Sequence, residues 1–360
     1  MRSIFQLSLF LVAVALVQAC SDDKSRGTLT GPNARAPNAL RLEANGKDEE
    51  SKWSPWSPPI NLGAIVNSAD TDSHPAISKN GLTLYISSHR SDLPGAKGGM
   101  DLWVSHRAGV ESPWETPINL GDAINTAGME LAPSLSLDGR TLYFHRNPGA
   151  CGGADIFVSH RQNPNDDFGW EPATALPCGT VNSAFSDAGP TIFEDRRMHT
   201  TVLYFTRQVT PGPSGFDIFV DTLGDDGTWS VASPVPELNS PVRDTRTTIS
   251  RDGREMFISS GRVGGLGSED IWISTRASTT DVWSTPVDVG PTINSSSFDG
   301  APALSFDGRS LYFFSERTGP DANGVMPRGL RDLYVSTRTR LGDESEVETR
   351  RSRRGFDSHP

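Results

Sequence analysis

Apolar residues in this chain fall in short clusters broken by glycine, proline and asparagine, and one order of clusters returns five times. Each round opens with Asn followed by Ser or Thr, with an acidic residue five positions after the Asn. The pairs are Asn67 and Asp72, Asn125 and Glu130, Asn182 and Asp187, Asn239 and Asp244, and Asn294 and Asp299, and the acids are 58, 57, 57 and 55 residues apart. A short strand pattern follows (HPAIS, APSLS, GPTIF, TRTTIS, APALS). In four rounds it ends at Asn80-Gly81, Asp138-Gly139, Asp252-Gly253 or Asp307-Gly308, the residues a two-residue hairpin needs at positive φ. The third round instead runs through Glu194-Asp195-Arg196-Arg197-Met198-His199, four residues longer than the turn of the first. A second strand (LYISSHR, LYFHR, LYFTR, MFISSGR, LYFFSER) leads through a glycine-rich loop to a third that opens with Asp (DLWVS, DIFVS, DIFVD, DIWIS, DLYVS). Its aliphatic residues alternate on both faces, which suits a sheet covered on both sides. Trp114, Trp170, Trp229 and Trp283 then mark a fourth strand.

The fifth round has no such Trp segment, while an orphan copy, Trp56 to Leu62, precedes the first and matches Trp114 to Leu120 in spacing. Joining the two closes a ring and removes unpaired sheet edges. The pattern therefore predicts an all-β, five-bladed β-propeller over 53–340, with four antiparallel strands per blade and closure by the N-terminal strand. The Ser-x-Asp-Gly-Arg-x-Leu-Tyr-Phe turn and the Asp-Ile-Trp third strand resemble the TolB-like, WD-type (PD-type) propeller repeat. That resemblance implies a bacterial envelope protein whose propeller binds rather than catalyses.

Composition narrows the class. A net charge of −11 excludes a nucleic-acid partner, which needs a basic face. Thirty-five Gly and 26 Pro fit a turn-rich all-β chain. At the N-terminus, Ile4 to Val17 is apolar but too short to span a bilayer, and it ends in Val17-Gln18-Ala19-Cys20. This resembles a bacterial lipobox, implying a signal peptide over 1–19 and lipidation of Cys20; ordinary cleavage after Ala19 is the alternative. Ser21 resembles the sorting residue of lipoproteins sent to the outer membrane, so the expectation is an exported monomer touching the membrane only through its lipid anchor, with the leaflet open. Residues 20–52 are polar and read as a disordered tether, and 341–360 as a disordered charged tail. Cys151 and Cys178 remain, in two loops flanking blade two, and read as a disulfide in an oxidising compartment or as two free thiols.

The Asn-to-acid loops and the loops between second and third strands share one face, here termed the top; the glycine turns lie at the bottom. Asp72, Glu130, Asp187, Asp244 and Asp299 are expected to ring the channel mouth, where neighbours fall within the roughly 5–9.5 Å range glycosidases use. Arg90, Arg146, Arg207, Arg262 and Arg317 end the second strands on the same face and offer charge-assisted partners. A feature present in every blade reads as structural, and Asp101, Asp155, Asp217, Asp270 and Asp332 are assigned to the scaffold on that logic.

Function is sought where the symmetry fails. One residue before the recurring Pro position stand His74, Ala132, Gly189, Arg246 and Ala301. His74 and Arg246, with His89 and His145, form the candidate ligand-binding set. With Asp72 or Glu130 the histidines offer a His/carboxylate metal site as a lesser alternative, but no cofactor is required and a central cation stays an open option. Blade five has the longest top loop, Thr318 to Arg331. No nucleophile elbow, P-loop, dinucleotide fingerprint or paired-His zinc motif occurs. The leading expectation is a scaffold module presenting its top face to an envelope protein or glycan. The alternative is a carbohydrate-active enzyme using two of the five ring acids, with His74 or Arg246 orienting the substrate. Whether every ring acid meets an arginine separates the two.

Overall fold

A computed structural model describes residues 52–341, except positions 196, 211, 213 and 214. Within it are five antiparallel sheets of four strands each. Four blades are consecutive in the chain, from Asp72–Ile77 to Ile118–Asn119, Met129–Leu135 to Thr174–Ala175, Asp187–Asp195 to Ser233–Pro234, and Asp244–Ile249 to Val287–Asp288. The fifth takes Asp299–Leu304, Ser310–Ser315 and Asp332–Thr337 from one end of the domain and Ile60–Asn61 from the other. Ile60 lies opposite Val335, and the ladder continues outward through Ser57 N–H to Thr337 O (2.7 Å) and Ser54 N–H to Thr339 O (2.9 Å). The closure expected from the orphan Trp segment is present. Cys20, the signal segment, the tether up to 51 and the tail from 342 lie outside the described residues.

The core is a set of inter-blade layers. Leu102 and Val104 of blade one pack with Leu142, Phe144 and Phe157 of blade two, and Ile86 and Trp103 of blade one with Tyr312, Phe314 and Leu333 of blade five. Covered on both faces, the third strands are apolar on both, as in Asp101–His106, buried at every position but the last.

The repeated polar residues hold blades to each other. Each repeat-opening Asn bonds, through both ends of its amide, the backbone N–H and C=O at the start of the preceding blade's third strand. Asn125 thus joins Leu102, Asn182 joins Ile156, Asn294 joins Ile271, and Asn67 joins Leu333 across the closure. At the bottom, Arg107, Arg161, Arg276 and Arg338 each donate Nε–H to the carbonyl of a turn glycine (Gly81, Gly139, Gly253, Gly308). Each also lies 4.1–4.5 Å from the ring of Trp114, Trp170, Trp283 or Trp56, a cation–π contact. The tryptophans thus precede the fourth strands, which are two residues long, and cap the turns. In blade three the position holds Leu223, and Trp229 packs edge-on to Tyr143 at 6.4 Å.

The top loops are glycine-rich because they touch. A Cβ on Gly267 would stand 1.7 Å from Ser297 O of blade five, and one on Gly329 1.7 Å from Asp70 O of blade one. Cys151 and Cys178 form a disulfide with Cα atoms 5.7 Å apart, joining two top loops of blade two.

Candidate functional site

All five ring acids have no exposed surface. Each is ion-paired: Asp72 with Arg90 (3.2 Å), Glu130 with Arg146 (2.8 Å), and Asp187, Asp244 and Asp299 with Arg207, Arg262 and Arg317 (2.6 Å each). The same arginines donate to the carbonyl preceding the repeat-opening Asn: Val66, Ile124, Val181, Leu238 and Ile293. Each carboxylate also takes the N–H of the residue after that Asn, as Asp187 does from Ser183 (2.6 Å). The acids therefore lie beneath the loops they fasten and offer no free oxygen to the channel. Burial raises the pKa of Asp72 and Asp187 despite Arg90 and Arg207.

The arginines come in two registers. Arg146 and Arg207 pair directly opposite their acids, whereas Arg90, Arg262 and Arg317 sit two residues further on, with Ser88, Ser260 and Ser315 opposite the acid instead. Either way the guanidinium reaches the same carboxylate. Four third-strand acids cap the top loops: Asp101 accepts from Lys97 N–H, Asp155 from Ala150, Cys151 and Gly152, Asp270 from Leu266 and Gly267, and Asp332 from Arg328 and Gly329.

The symmetry-breaking positions lie on a bulge in each inner strand, after Ser73, Leu131, Ala188, Thr245 and Gly300. Pro75, Pro133, Pro190 and Pro302 have no ladder N–H to give, and the residues before them take positive φ: His74 (47°), Ala132 (56°), Gly189 (59°) and Ala301 (49°). Blade four has Thr247 in place of Pro; it rejoins the ladder opposite Ile258, and Arg246 is spared the positive φ. A bulge re-aims its side chain, here into the channel.

Three of the four predicted ligand-binding residues meet there. The His74 and His145 rings are 6.4 Å apart, edge to face, and His74 packs on Phe314 at 6.0 Å. His145 Nδ1 accepts Gly189 N–H at 3.2 Å, so the ring's proton is on Nε2. The Arg246 guanidinium crosses the channel to the carbonyls of Pro133 (2.8 Å) and Pro190, in blades two and three. Burial, reinforced by Arg246, lowers the pKa of His74 well below the usual range and that of His145 to about 3. Burial alone lowers Arg246 to about 9. His89 is apart, its side chain 58% exposed and its Nδ1 4.0 Å from Asp70.

Two carboxylates outside the predicted set lie near this cluster. Glu269 Oε1 is 3.0 Å from Arg243 Nε, and Glu316 Oε1 is 2.8 Å from Arg331 Nε. Arg331 lies over Phe298 (5.0 Å) and Phe314 (4.8 Å), tying the pairs to His74. Glu269 is 8% exposed, and burial raises its pKa against the opposing effects of Arg243, Arg331 and the Thr245 side chain. The signal was present: before the third-strand Asp the rounds read Met100, Ala154, Phe216, Glu269 and Arg331, as uneven as the His74 position. The long loop of blade five is tied down by Asp321, which accepts Asn61 N–H at 2.8 Å, while Met326 and Leu330 stay exposed. Among the described residues, no group of three or more His, Cys, Asp or Glu is placed to hold a metal ion.

No family model and no curated protein matches the chain. Solved structures do match in fold. The α-L-arabinofuranosidase from Lactobacillus brevis superposes with a TM-score of 0.51 at 12% identity, covering 78% of this chain and 94% of that one. The catalytic domain of a Coprinopsis cinerea GH62 α-L-arabinofuranosidase gives 0.51 at 12%, covering 80% and 97%. The xylan β-1,4-xylosidase from Bacillus halodurans gives 0.51 at 14%, covering 79% and 53%. This overturns the TolB-like, WD-type resemblance: the structural neighbours are five-bladed glycoside hydrolases, and no model of the repeat family matches. The quoted motif residues are those that make a hairpin turn and cap a third strand, so they report how a blade is built, not its descent.

Proposed function

We propose that this protein is carbohydrate-active, the second of the two readings weighed from sequence, and that it takes a sugar at the top of the channel between blades four, five and one. The observation that carries the proposal is Glu269, a nearly buried carboxyl whose pKa is raised by burial although Arg243 is 3.0 Å away. Such a group keeps its proton above the ordinary carboxylate range and can deliver it to a glycosidic oxygen. Glu316, more exposed at 38% of its side chain, is the partner base. Phe298, half-buried beside Arg331, offers an apolar edge to sugar C–H groups. The shared propeller architecture supports the reading, and the printed names of the similar structures suggest pentosides as first substrates. Both acids of this reading lie outside the five ring carboxylates, whose burial and arginine partners suit loop fastening.

Hydrolysis of 4-nitrophenyl α-L-arabinofuranoside and β-D-xyloside tests it. Glu269→Gln is expected to lower kcat about 10²–10⁴-fold on pentose oligosaccharides, whose leaving alcohol needs the proton, and far less on the 4-nitrophenyl glycosides, with sugar binding retained. A wild-type protein that neither hydrolyses nor saturably binds pentosides or their oligomers sinks the reading. The arginine partners of Glu269 and Glu316 favour a second reading, glycan binding without turnover, in which oligosaccharides bind and are recovered intact. The Cys151–Cys178 disulfide supports an exported protein, with Cys20 as its lipid anchor; mass analysis of the cell-derived N-terminus tests this.

A further inference from the structure

At the bottom, below Arg246, the five inner strands line a half-open cavity of about 130 Å³. Its wall carries three cations, Lys79, Arg246 and Arg251, against one carboxylate, Glu194, whose Oε1 accepts Leu137 N–H at 2.7 Å. Lys79 and Arg251 converge on the ring of Phe306, at 5.3 and 4.8 Å. Two side chains of that wall are nearly fully buried and keep an unpartnered donor: Arg246 Nε, in a residue 6% exposed, and Thr247 Oγ1, in one 2% exposed. The rest of the Arg246 guanidinium bonds backbone carbonyls, and among the described residues it forms no ion pair.

A buried guanidinium without a counter-charge is costly, and carbonyl oxygens satisfy its protons without neutralising it. An ordered water would satisfy the two donors and leave the charge in place. The neighbouring His74 and His145 are held neutral by burial and supply no negative charge. We propose that this cavity is a binding site for a small oxyanion, a carboxylate or an inorganic anion of similar size, held by Arg246 Nε–H and the Thr247 hydroxyl and drawn in by Lys79 and Arg251. Glu269, Glu316 and Phe298 do not line this cavity, and the anion proposal stands or falls apart from the sugar reading.

Calorimetric titration of the full chain with formate, acetate, sulfate and phosphate, against chloride at matched ionic strength, tests the site and separates planar from tetrahedral ligands. One saturable site is expected, with a melting temperature that climbs with anion concentration. Thr247→Val, which keeps shape and loses the hydroxyl, is expected to weaken binding about threefold, and Arg246→Gln about tenfold or more. Because Arg246→Gln removes carbonyl bonds and can impair folding, the exposed pair Lys79→Gln with Arg251→Gln serves as a second probe and should lower affinity and its salt dependence together. No saturable binding of any oxyanion overturns the proposal, as does an affinity unchanged in both Thr247→Val and the double variant.

Discussion

Asp187 and Arg207 show what a charge with no exposed surface demands of its surroundings. The carboxylate accepts Arg207 Nε–H at 2.6 Å and the Ser183 hydroxyl at 2.7 Å, and the arginine holds Val181 O as well. Arg207→Gln strands both a buried carboxylate and a carbonyl, so a loss of about 3–5 kcal/mol is expected in urea unfolding, near the cost of breaking a buried pair. His145 makes the opposite demand, a neutral ring. Its folded pKa of about 3 lies below the ordinary 6.5, so the unfolded chain takes up the proton first. Its contribution to stability is complete above pH 6.5 and drains away as the pH falls towards 3, by about 2 kcal/mol at pH 5. Buried carboxyls with raised pKa values, such as Asp72 and Glu269, push the other way, so the comparison must be made between variants. His145→Gln keeps an acceptor for Gly189 N–H and should flatten the fall in melting temperature between pH 7 and 5; an unchanged slope would show that the folded ring takes up its proton as readily as the unfolded one.

Between strands, the repeat-opening asparagines act as pieces of backbone. Asn125 gives Leu102 the N–H and C=O partners that a neighbouring strand would supply, at 2.8 and 2.9 Å. Asn125→Ala leaves both groups buried and unpaired, with an expected loss of about 2–4 kcal/mol, whereas Asn239, on a less buried loop, should lose less. A calorimetric melting series over the five positions checks that order. These pins also explain what could be read from sequence. Strands, turns and blade number were legible because every blade needs the same Asn and acid five residues apart, an arginine at the end of its second strand and, in four of the five, a turn glycine. The fourth strands were misplaced onto the tryptophans, since a two-residue strand has no period of its own and the Trp marks the turn it stacks beneath. The ring acids were visible as a set, but whether they faced the channel or the loops depended on the arginine's reach, which a Ser88 or an Arg146 opposite the acid leaves equally open. Glu269 and Glu316 escaped because broken symmetry was sought at the position before the recurring Pro, whereas Glu269 stands before a third-strand Asp and Glu316 before the Arg that ends a second strand, positions just as uneven between blades.

The ring itself rests on a small number of bonds relative to what it closes. Ile60–Asn61 and the extended run before it join the third strand of blade five through Ser54, Ser57 and Leu62. Trp53 and Trp56 both cover Arg338, whose Nη atoms also hold Glu255 of blade four at 2.6 and 3.0 Å. Asn61 fastens the closure from the other side, its N–H to Asp321 and its amide to Asp332, both at 2.8 Å. Removing residues 53–62 therefore uncovers an apolar third strand along its whole edge and releases the blade-five loop held by Asp321 in the same step. An open edge of that kind recruits another strand, so the truncated protein is expected to associate with rising concentration in sedimentation while the full chain stays of one size. A synthetic peptide of residues 53–62 should restore the unassociated form and raise the melting temperature as its concentration rises. The same peptide carrying Trp56→Ala and Asn61→Ala should do so much more weakly, because it loses both the cover over Arg338 and the tie to Asp321 and Asp332. If the truncated chain neither associates nor responds to the peptide, blade five is self-sufficient with three strands, and closure contributes geometry to the mouth without contributing stability to the ring.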